Sequence, residues 1–325
     1  MATKAAAPTT LIDAVRFFSD PDVCLAAAIQ LRWGGKPVSC PTCGATDVHF
    51  IATRRIWRCS QQHPRRQFSV KIGTVMEDSP IPLDKWMVAI WLLANAKNGI
   101  SSYELHRAIG LTQKSAWFLL HRVRLAMQAA DGGKLLGDVE ADETYIGGKA
   151  RNMHIKKRKR MGISQGRSMA GKIAVMGLLE RHGDGQSRIR TRVLTGRKKG
   201  NLQPVVREHV EAGSTIHTDA HFSYQGLQGD FTHCVVDHAE KYVDGQIHTN
   251  GCENFWSLLK RAIKGTYVSV EPFHLFRYLD EQAFRFNNRK LSDAERFAYA
   301  AAMIVGKRLT YKALIGKDLL ESRAN

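Results

Sequence analysis

The spacing of apolar residues changes character along this chain. Leu83–Ala96 is apolar almost throughout, and Asn98-Gly99 breaks it. Ser101 then caps a helix, SSYELHRAIG (101–110), and Glu104 three residues on completes a capping box. Thr112 caps a longer helix, TQKSAWFLLHRVRLAMQ (112–128). There Ala116, Leu119, Leu120 and Val123 form one apolar stripe, and Gln113, Lys114, His121, Arg122 and Arg124 stand on the polar remainder. Upstream lie a polar start and a short predicted helix around Val23–Ile29.

Asp131-Gly132-Gly133 ends the helical pattern, and β-branched and aromatic runs follow it. LLGDVEADETYIGG (135–148), GKIAVMGLLER (171–181) and RIRTRVL (188–194) read as three strands. A helix over Asn201–Ala212 comes next, then strands STIHTDAHFSY (214–224) and HCVVDH (233–238). The closing helices are ENFWSLLKRAIKG (253–265) and FHLFRYLDEQAFRFNNRK (273–290). Strands first, then helix alternating with strand, predict a mixed α/β catalytic domain over 134–290. An N-terminal helical segment (1–30), a cysteine-bearing module (31–80) and a helical segment (81–130) precede it, and a tail (291–325) follows.

Charge narrows the partners. The 325 residues hold 48 Lys and Arg against 30 Asp and Glu, a formal net charge of +18. Such an excess suits a polyanion, because each neutralised phosphate releases a counterion. The longest apolar stretch, Trp86–Ala94, falls far short of the roughly 20 residues of a bilayer span. The start has no continuous apolar h-region, which argues against secretion and against a membrane partner. Residues 149–172 hold nine Lys and Arg and no acid, with KKRKR at 156–160. That segment reads as a solvated loop or as a phosphate-contacting loop that orders on DNA, the second being favoured. The α-helical pair 101–128 has helix-turn-helix proportions, and the first turn of its second helix, with Gln113 and Lys114, is where such a motif meets base edges.

Six cysteines are too few for a disulfide scaffold in a chain of this length, and three of them cluster. Cys40-Pro-Thr-Cys43-Gly is a metal knuckle in which Gly44 lets backbone N–H groups approach the sulfurs. Cys59 lies fifteen intervening residues on, with His63 four positions further; His63 or His49 supplies the fourth ligand of a tetrahedral Zn²⁺ site. Four protein ligands close the site, so this zinc is expected to be structural and to substitute for a core that so short a module cannot build. Clustered thiols in a basic chain point to a reducing compartment, the cytoplasm.

The acids carry the remaining chemistry. Alternation places Asp138, Glu140 and Asp142 on one face of their strand, with Val139, Ala141 and Glu143 on the other. Carboxylates so grouped are costly unless solvated or bound to a cation. Asp219 ends an apolar strand, and Glu253 opens a helix with Lys260 two turns on, on the same face. Acids at two strand ends and on a helix suit two Mg²⁺ ions roughly 3.5–4 Å apart, the arrangement for in-line phosphoryl displacement. Taken singly, each acid has a plainer explanation: a helix-dipole partner at Glu253, solvated strand positions at Asp142 and Asp219.

Several ordered blocks carry a family resemblance. LRWGGKPVSCPTCGA (31–45) and IWRCSQQHPRRQFSVKIGTVMEDSPIPLDKW (56–86) resemble a zinc ribbon and its trailing segment. VEADETYIGGK (139–149), IHTDAHFSYQGL (216–227) and IHTNGCENFWSLLKRAIKGTY (247–267) resemble the three catalytic blocks of a DDE transposase of bacterial insertion sequences. The resemblance implies a ribonuclease H-like fold, a triad at Asp142, Asp219 and Glu253, and a trailing Lys260 near a phosphate. It implies two Mg²⁺ (or Mn²⁺) ions at that triad, a structural Zn²⁺ at Cys40, Cys43, Cys59 and His63, and double-stranded DNA, both element ends and target, as partner. A homo-oligomer assembled on DNA, close to the nucleoid, is the implied working form. Gln113, Lys114, Lys156, Lys157, Arg158, Lys159 and Arg160 are the expected DNA contacts. His63 stands where a fourth Cys is usual, and the third acid of related proteins is not always Glu. Phe255 and Trp256 are expected to pack their helix on the sheet, and His217 and His221 to serve orientation or core packing. The rival class is a DNA-binding regulator carrying a dead catalytic remnant, against which the complete acid set argues.

Overall fold

The computed structural model describes residues 7–128, 133–148, 153–160, 171–182, 186–219, 222–236 and 248–317. The chain divides into two compact units, Met1–Gln128 with Leu291–Asn325, and Ala129–Lys290. None of the described helices is long and apolar enough to cross a membrane.

The first unit opens with two helices where the sequence suggested one. Thr10 caps α1 (Leu11–Ser19) by accepting from the Asp13 N–H, and Asp20 caps α2 (Pro21–Trp33), with Pro21 at the first helical position. A three-stranded antiparallel sheet follows, β1 (Val48–Ile51), β2 (Ile56–Cys59) and β3 (Gln67–Phe68). Its register puts Phe50, Trp57 and Phe68 abreast on one face and His49, Arg58 and Gln67 on the other. Trp33 of α2 packs on Trp57 with ring centroids 5.8 Å apart. That aromatic cluster is the ribbon's apolar core, and it is small.

The helical part consists of α3 (Leu83–Asn95), α4 (Ser102–Ile109) and α5 (Gln113–Met127), with the predicted caps at Ser101 and Thr112 in place. Gly110, at φ +63°, ends α4 in the left-handed conformation. α4, its turn and α5 form the helix-turn-helix-like pair.

The polar face expected on α5 is corrected by the structure. His121, Arg122 and Arg124 are 0%, 6% and 1% exposed. The chain beyond 290 packs on α5 and reaches Arg122. Read from sequence as a tail, it forms α10 (Asp293–Ala302), capped by a Ser292/Glu295 box, and α11 (Tyr311–Leu314). The Arg122 guanidinium donates to the backbone oxygens of Leu309 (3.2 Å) and Glu77 (2.9 Å) and stacks over Phe118. Lys307 donates to the open carbonyls of Ala126 and Gln128 at the end of α5, 2.8 Å each. Phe297 of α10 meets Phe18 and Trp91, with centroids 5.4 and 5.2 Å away. Helical periodicity registers how apolar a position is, and a cation that bonds remote carbonyls is invisible to it.

The second unit is a five-stranded mixed sheet, order β6-β5-β4-β7-β8. β4 (Asp138–Ile146), β5 (Ile173–Glu180) and β6 (Arg188–Leu194) run antiparallel; β7 (Thr215–Asp219) and β8 (Thr232–Val236) are parallel to β4. This is the ribonuclease H-like sheet. α7 (Lys199–His209) covers one face, where Leu202 and Val206 join Val139, Ala141, Met176, Leu178 and Ile216. α8 (Asn250–Ala262) and α9 (Leu275–Asn287) cover the other, with Val175, Leu179, Ile189, Cys252, Phe255, Trp256 and Leu279. β5, buried on both faces, is accordingly an unbroken apolar run except for Gly177 and the terminal Glu180.

Phe297→Ala should remove the side chain that ties α10 to α1 and α3. The expected loss is about 3–5 kcal/mol for a buried Phe, read as a lower denaturant midpoint for unfolding of the first unit.

Candidate metal centres

The first centre lies in the ribbon. The Cys40 knuckle closes through Gly44 N–H to Cys40 O and Cys40 N–H to Ala45 O, both 2.8 Å, with Gly44 at φ +77°. Cys59 ends β2, and Arg66 grips the turn after it by donating to the Cys59 and Ser60 carbonyls at 3.1 Å each. One ligand atom from each of Cys40, Cys43, Cys59 and His63 fits within 4.8 Å of every other. Cys40 Sγ and His63 Nε2 are 3.4 Å apart, Cys43 Sγ and Cys59 Sγ 3.6 Å. A tetrahedron with Zn–S arms of about 2.3 Å has edges of about 3.8 Å, so the four atoms are spaced for one ion. His63 Nδ1 donates to the Pro64 carbonyl at 2.7 Å, which leaves the Nε2 lone pair directed at the sulfurs. His49 sits exposed on the outer face of β1, abreast of Arg58, so His63 completes the cluster. Burial pushes the Cys40 thiol up, but backbone N–H groups of Cys43 and Thr42 and the neighbouring thiols bring it down to about 7, a group that yields its proton readily to a metal. The cluster is that of a zinc ribbon.

The second centre is acidic. Asp138, Glu140 and Asp142 do share one face of β4, the face toward α8, and the structure gives each a different fate. Asp138 is exposed and meets His217 Nε2 at 3.0 Å. Glu140, 1% exposed, receives the Arg181 guanidinium at 2.6 Å and the backbone N–H of Cys252, in the first turn of α8, at 2.9 Å. His248 bonds the same guanidinium through Nδ1 at 2.8 Å. Gly251 permits this approach, since a Cβ there would lie 2.9 Å from Glu140 Oε2 and 3.0 Å from Leu179. Removing one member of so buried a pair costs about 3–5 kcal/mol, because the other charge is left unpaired. Glu140 is therefore a fastener for α8.

Asp142 is the third. Its Oδ1 accepts the Glu143 N–H at 2.8 Å and its Oδ2 accepts the Trp256 indole N–H at 2.9 Å. Burial pushes its carboxyl up to about 6; the Trp256 bond opposes this, and the charges of Glu143 and Asp219 reinforce it. Glu143 points to the opposite face, as alternation requires. There it pairs with Arg197 at 2.9 Å and accepts from the buried Tyr224 hydroxyl.

Asp219 is the last residue of β7. The β4–β7 ladder pairs Asp138 with Thr215, Val139 with Ile216 and Glu140 with His217 and ends there; Asp142 lies mid-strand in β4 and not at a strand end as the sequence suggested, near enough to Asp219 for that charge to act on it. Glu253 is exposed in the first turn of α8, three residues before Trp256. Lys260 is half-buried two turns along; burial pushes its ammonium down, and the charge of Asp142 acts against that. Among the described residues no three acids bring ligand atoms within 4.8 Å of one another. An all-oxygen set of carboxylates, one of them held up in pKa chiefly by burial, has the chemistry that suits Mg²⁺ or Mn²⁺.

The other expected site residues are dispersed. Gln113 is half-buried, its side-chain amide donating to Ser102 at 2.9 Å, and Lys114 is exposed with its ammonium over the Tyr311 ring. Part of the basic segment is a short helix, α6 (Ile155–Arg160), and not a loop. Lys156 and Lys159 are exposed on it and Arg158 is half-buried. The side chains of Lys157 and Arg160, and all of His221, lie outside the described residues. His217 is buried against Asp138, and Phe255 and Trp256 are buried between α8 and the sheet. Sequence reasoning named Glu140 on the acidic face but missed its pairing with Arg181 and the start of α8, and missed Arg181, His248 and the polar use of Trp256. The available signals were two glycines, Gly177 inside an apolar strand and Gly251 at a helix start, both marks of close approach.

Residues 134–287 match the ISXO2-like transposase domain, and residues 19–61 match the transposase zinc-ribbon domain. An uncharacterized protein in transposable element ISH50 of Halobacterium salinarum is 29% identical over 242 residues, which cover 71% of this chain and 79% of that protein. An uncharacterized transposase-like protein of Haemophilus influenzae is 30% identical over 105 residues, 32% of this chain and 85% of its own length. The two domain matches fall separately on the unit that holds the Cys3His cluster and on the unit that holds the acids, and the chain belongs to the ISXO2-like transposases of insertion sequences.

Proposed function

We propose that the acidic centre cuts DNA at the ends of an insertion sequence and joins the freed 3′-OH to target DNA. The observation that carries this reading is the placement of Asp142, in the middle of β4, close to Asp219, the last residue of the neighbouring parallel strand, with Asp142 partly buried and in the field of the Asp219 charge. Asp142, Asp219 and Glu253 would hold two Mg²⁺ (or Mn²⁺) ions. When bound, such a pair supplies Lewis-acid activation of water or of a 3′-OH and stabilises charge on the leaving oxygen.

The chain's own residues do the rest. Glu140 and Arg181 hold the start of α8 against β4, and so set where Glu253 stands. Lys260, in the field of Asp142, offers a cation to a phosphate beside the cleaved bond. The zinc ribbon and the α4–α5 pair bind the terminal inverted repeats, with Gln113 and Lys114 at the start of α5. Lys156, Lys157, Arg158, Lys159 and Arg160 add phosphate contacts from α6, an interaction that weakens steeply with salt. Pairing two ends and a target requires a homo-oligomer on DNA, working beside the nucleoid in a bacterial cytoplasm. Transesterification conserves the energy of the phosphodiester, so no nucleotide cofactor is needed.

Asp142→Ala and Asp219→Ala should each reduce Mg²⁺-dependent cleavage and joining below about one-thousandth of wild type, while binding of end-sequence DNA stays within about twofold. A strand-transfer assay paired with a mobility-shift assay measures both; equal product from variant and wild type would remove the site. His63→Ala should deprive the purified protein of zinc and lower the thermal midpoint of the first unit, by metal analysis and calorimetry. Zinc content equal to wild type would remove His63 from the ligand set.

A further inference from the structure

Trp256 does more than fill the interface between α8 and the sheet. Trp256 is 4% exposed and belongs to the apolar cluster of Val175, Leu179, Phe255 and Leu259, a layer that a large hydrophobic residue without a donor would also fill. Yet the indole N–H is spent on Asp142 Oδ2, at 2.9 Å. The neighbouring strand leaves room for this. Gly177 of β5 is the register partner of Asp142 on β4, and a Cβ there would fall 2.7 Å from Trp256 Cζ2 and 2.9 Å from Cη2. A glycine inside an otherwise apolar strand is costly by itself, and here its missing side chain is the space the benzo ring occupies.

A carboxylate has about four lone-pair directions. In Asp142 one on each oxygen is taken, by the Glu143 N–H and by the indole. Two donors on opposite oxygens fix the rotation of the carboxylate plane. The remaining lone pairs are then held in one orientation. Because Trp256 lies one turn after Glu253, the same hydrogen bond also sets the rotation of α8 relative to β4.

We infer that Trp256 is a positioning residue for the divalent-metal site: its indole N–H, admitted by Gly177, orients the Asp142 carboxylate and pins it to the helix that carries Glu253. The inference rests on the reading of Asp142 as a metal ligand under Proposed function. Packing alone would make Trp256 a stability residue; orientation makes it a determinant of metal affinity.

The test uses the full-length, zinc-loaded protein and Mn²⁺, with free Mn²⁺ followed by electron paramagnetic resonance and DNA cleavage measured in parallel. Trp256→Phe, and 3-benzothienylalanine at position 256, which keeps the bicyclic shape without an N–H, should each weaken Mn²⁺ binding about 10- to 100-fold, as loss of a partner behind a metal ligand does. Thermal midpoint with the benzothienyl residue should match wild type, and cleavage should recover at saturating Mn²⁺. Gly177→Ala should reproduce the metal defect with Trp256 present and add nothing to it in the Trp256→Phe background, where the atoms the methyl would strike are gone. Mn²⁺ affinity equal to wild type in both variants lacking the N–H, with Asp142→Ala binding poorly, overturns the positioning role and leaves the metal-site reading standing. Unchanged affinity in Asp142→Ala overturns both.

Discussion

The second unit is organised around a charge problem on a single strand face. β4 directs Asp138, Glu140 and Asp142 toward α8, where an apolar layer is also needed to hold that helix down. Three carboxylates in such a layer cannot all be left as bare ions. The fold assigns them separately: Asp138, at the start of the strand, to His217, Glu140 to Arg181 and the start of α8, and Asp142, in mid-strand, to Trp256 and the neighbourhood of Asp219. Two of the three thus become structural, and the third is held in place by a donor from the helix it faces. Burial that would be a fault in a plain scaffold is what the metal site proposed at Asp142 would use.

Glycines mark where this arrangement is tight. Gly251 lets the first turn of α8 reach Glu140, and Gly177 lets the Trp256 ring lie beside Asp142. Neither has an unusual backbone in the left-handed region, so their value lies in absent volume and not in conformational freedom. The opposite face of β4 uses the reverse solution. There Glu143 is closed in by Arg197 and Tyr224, so that a carboxylate adjacent in sequence to Asp142 is fully occupied. Its charge still reaches Asp142 and helps to hold that carboxyl up.

The first unit meets a different shortage. Its ribbon has only a short aromatic stack for a core, and the Cys3His cluster, gathered within 4.8 Å, ties the two knuckles that the stack alone would not hold. Its helices are completed by chain from the far end of the sequence. α10 supplies Phe297 to α1 and α3, and the residues before α11 satisfy Arg122 and the last carbonyls of α5. Arg122 and Arg124 of α5 are consequently core components, whereas Lys114 at the start of the same helix stays exposed.

Sequence alone determined the parts that depend on neighbours along the chain. The caps at Ser101 and Thr112, the alternation of β4, the Cys-x2-Cys knuckle and the order of the strand blocks are local rules, and each appears where spacing put it. Ordered motifs also sufficed for the transposase family. Tertiary structure decided what depends on residues remote in sequence: that His63 and not His49 closes the ribbon, that Arg122 and Arg124 are buried, and that the stretch after 290 belongs to the first unit. It also decided that Trp256 bonds Asp142 across 114 positions. The physical reason is the same each time. Hydrophobic periodicity registers which face a residue occupies, whereas a buried charge is satisfied by a specific partner in space, and that partner is named only when the chain has closed on itself.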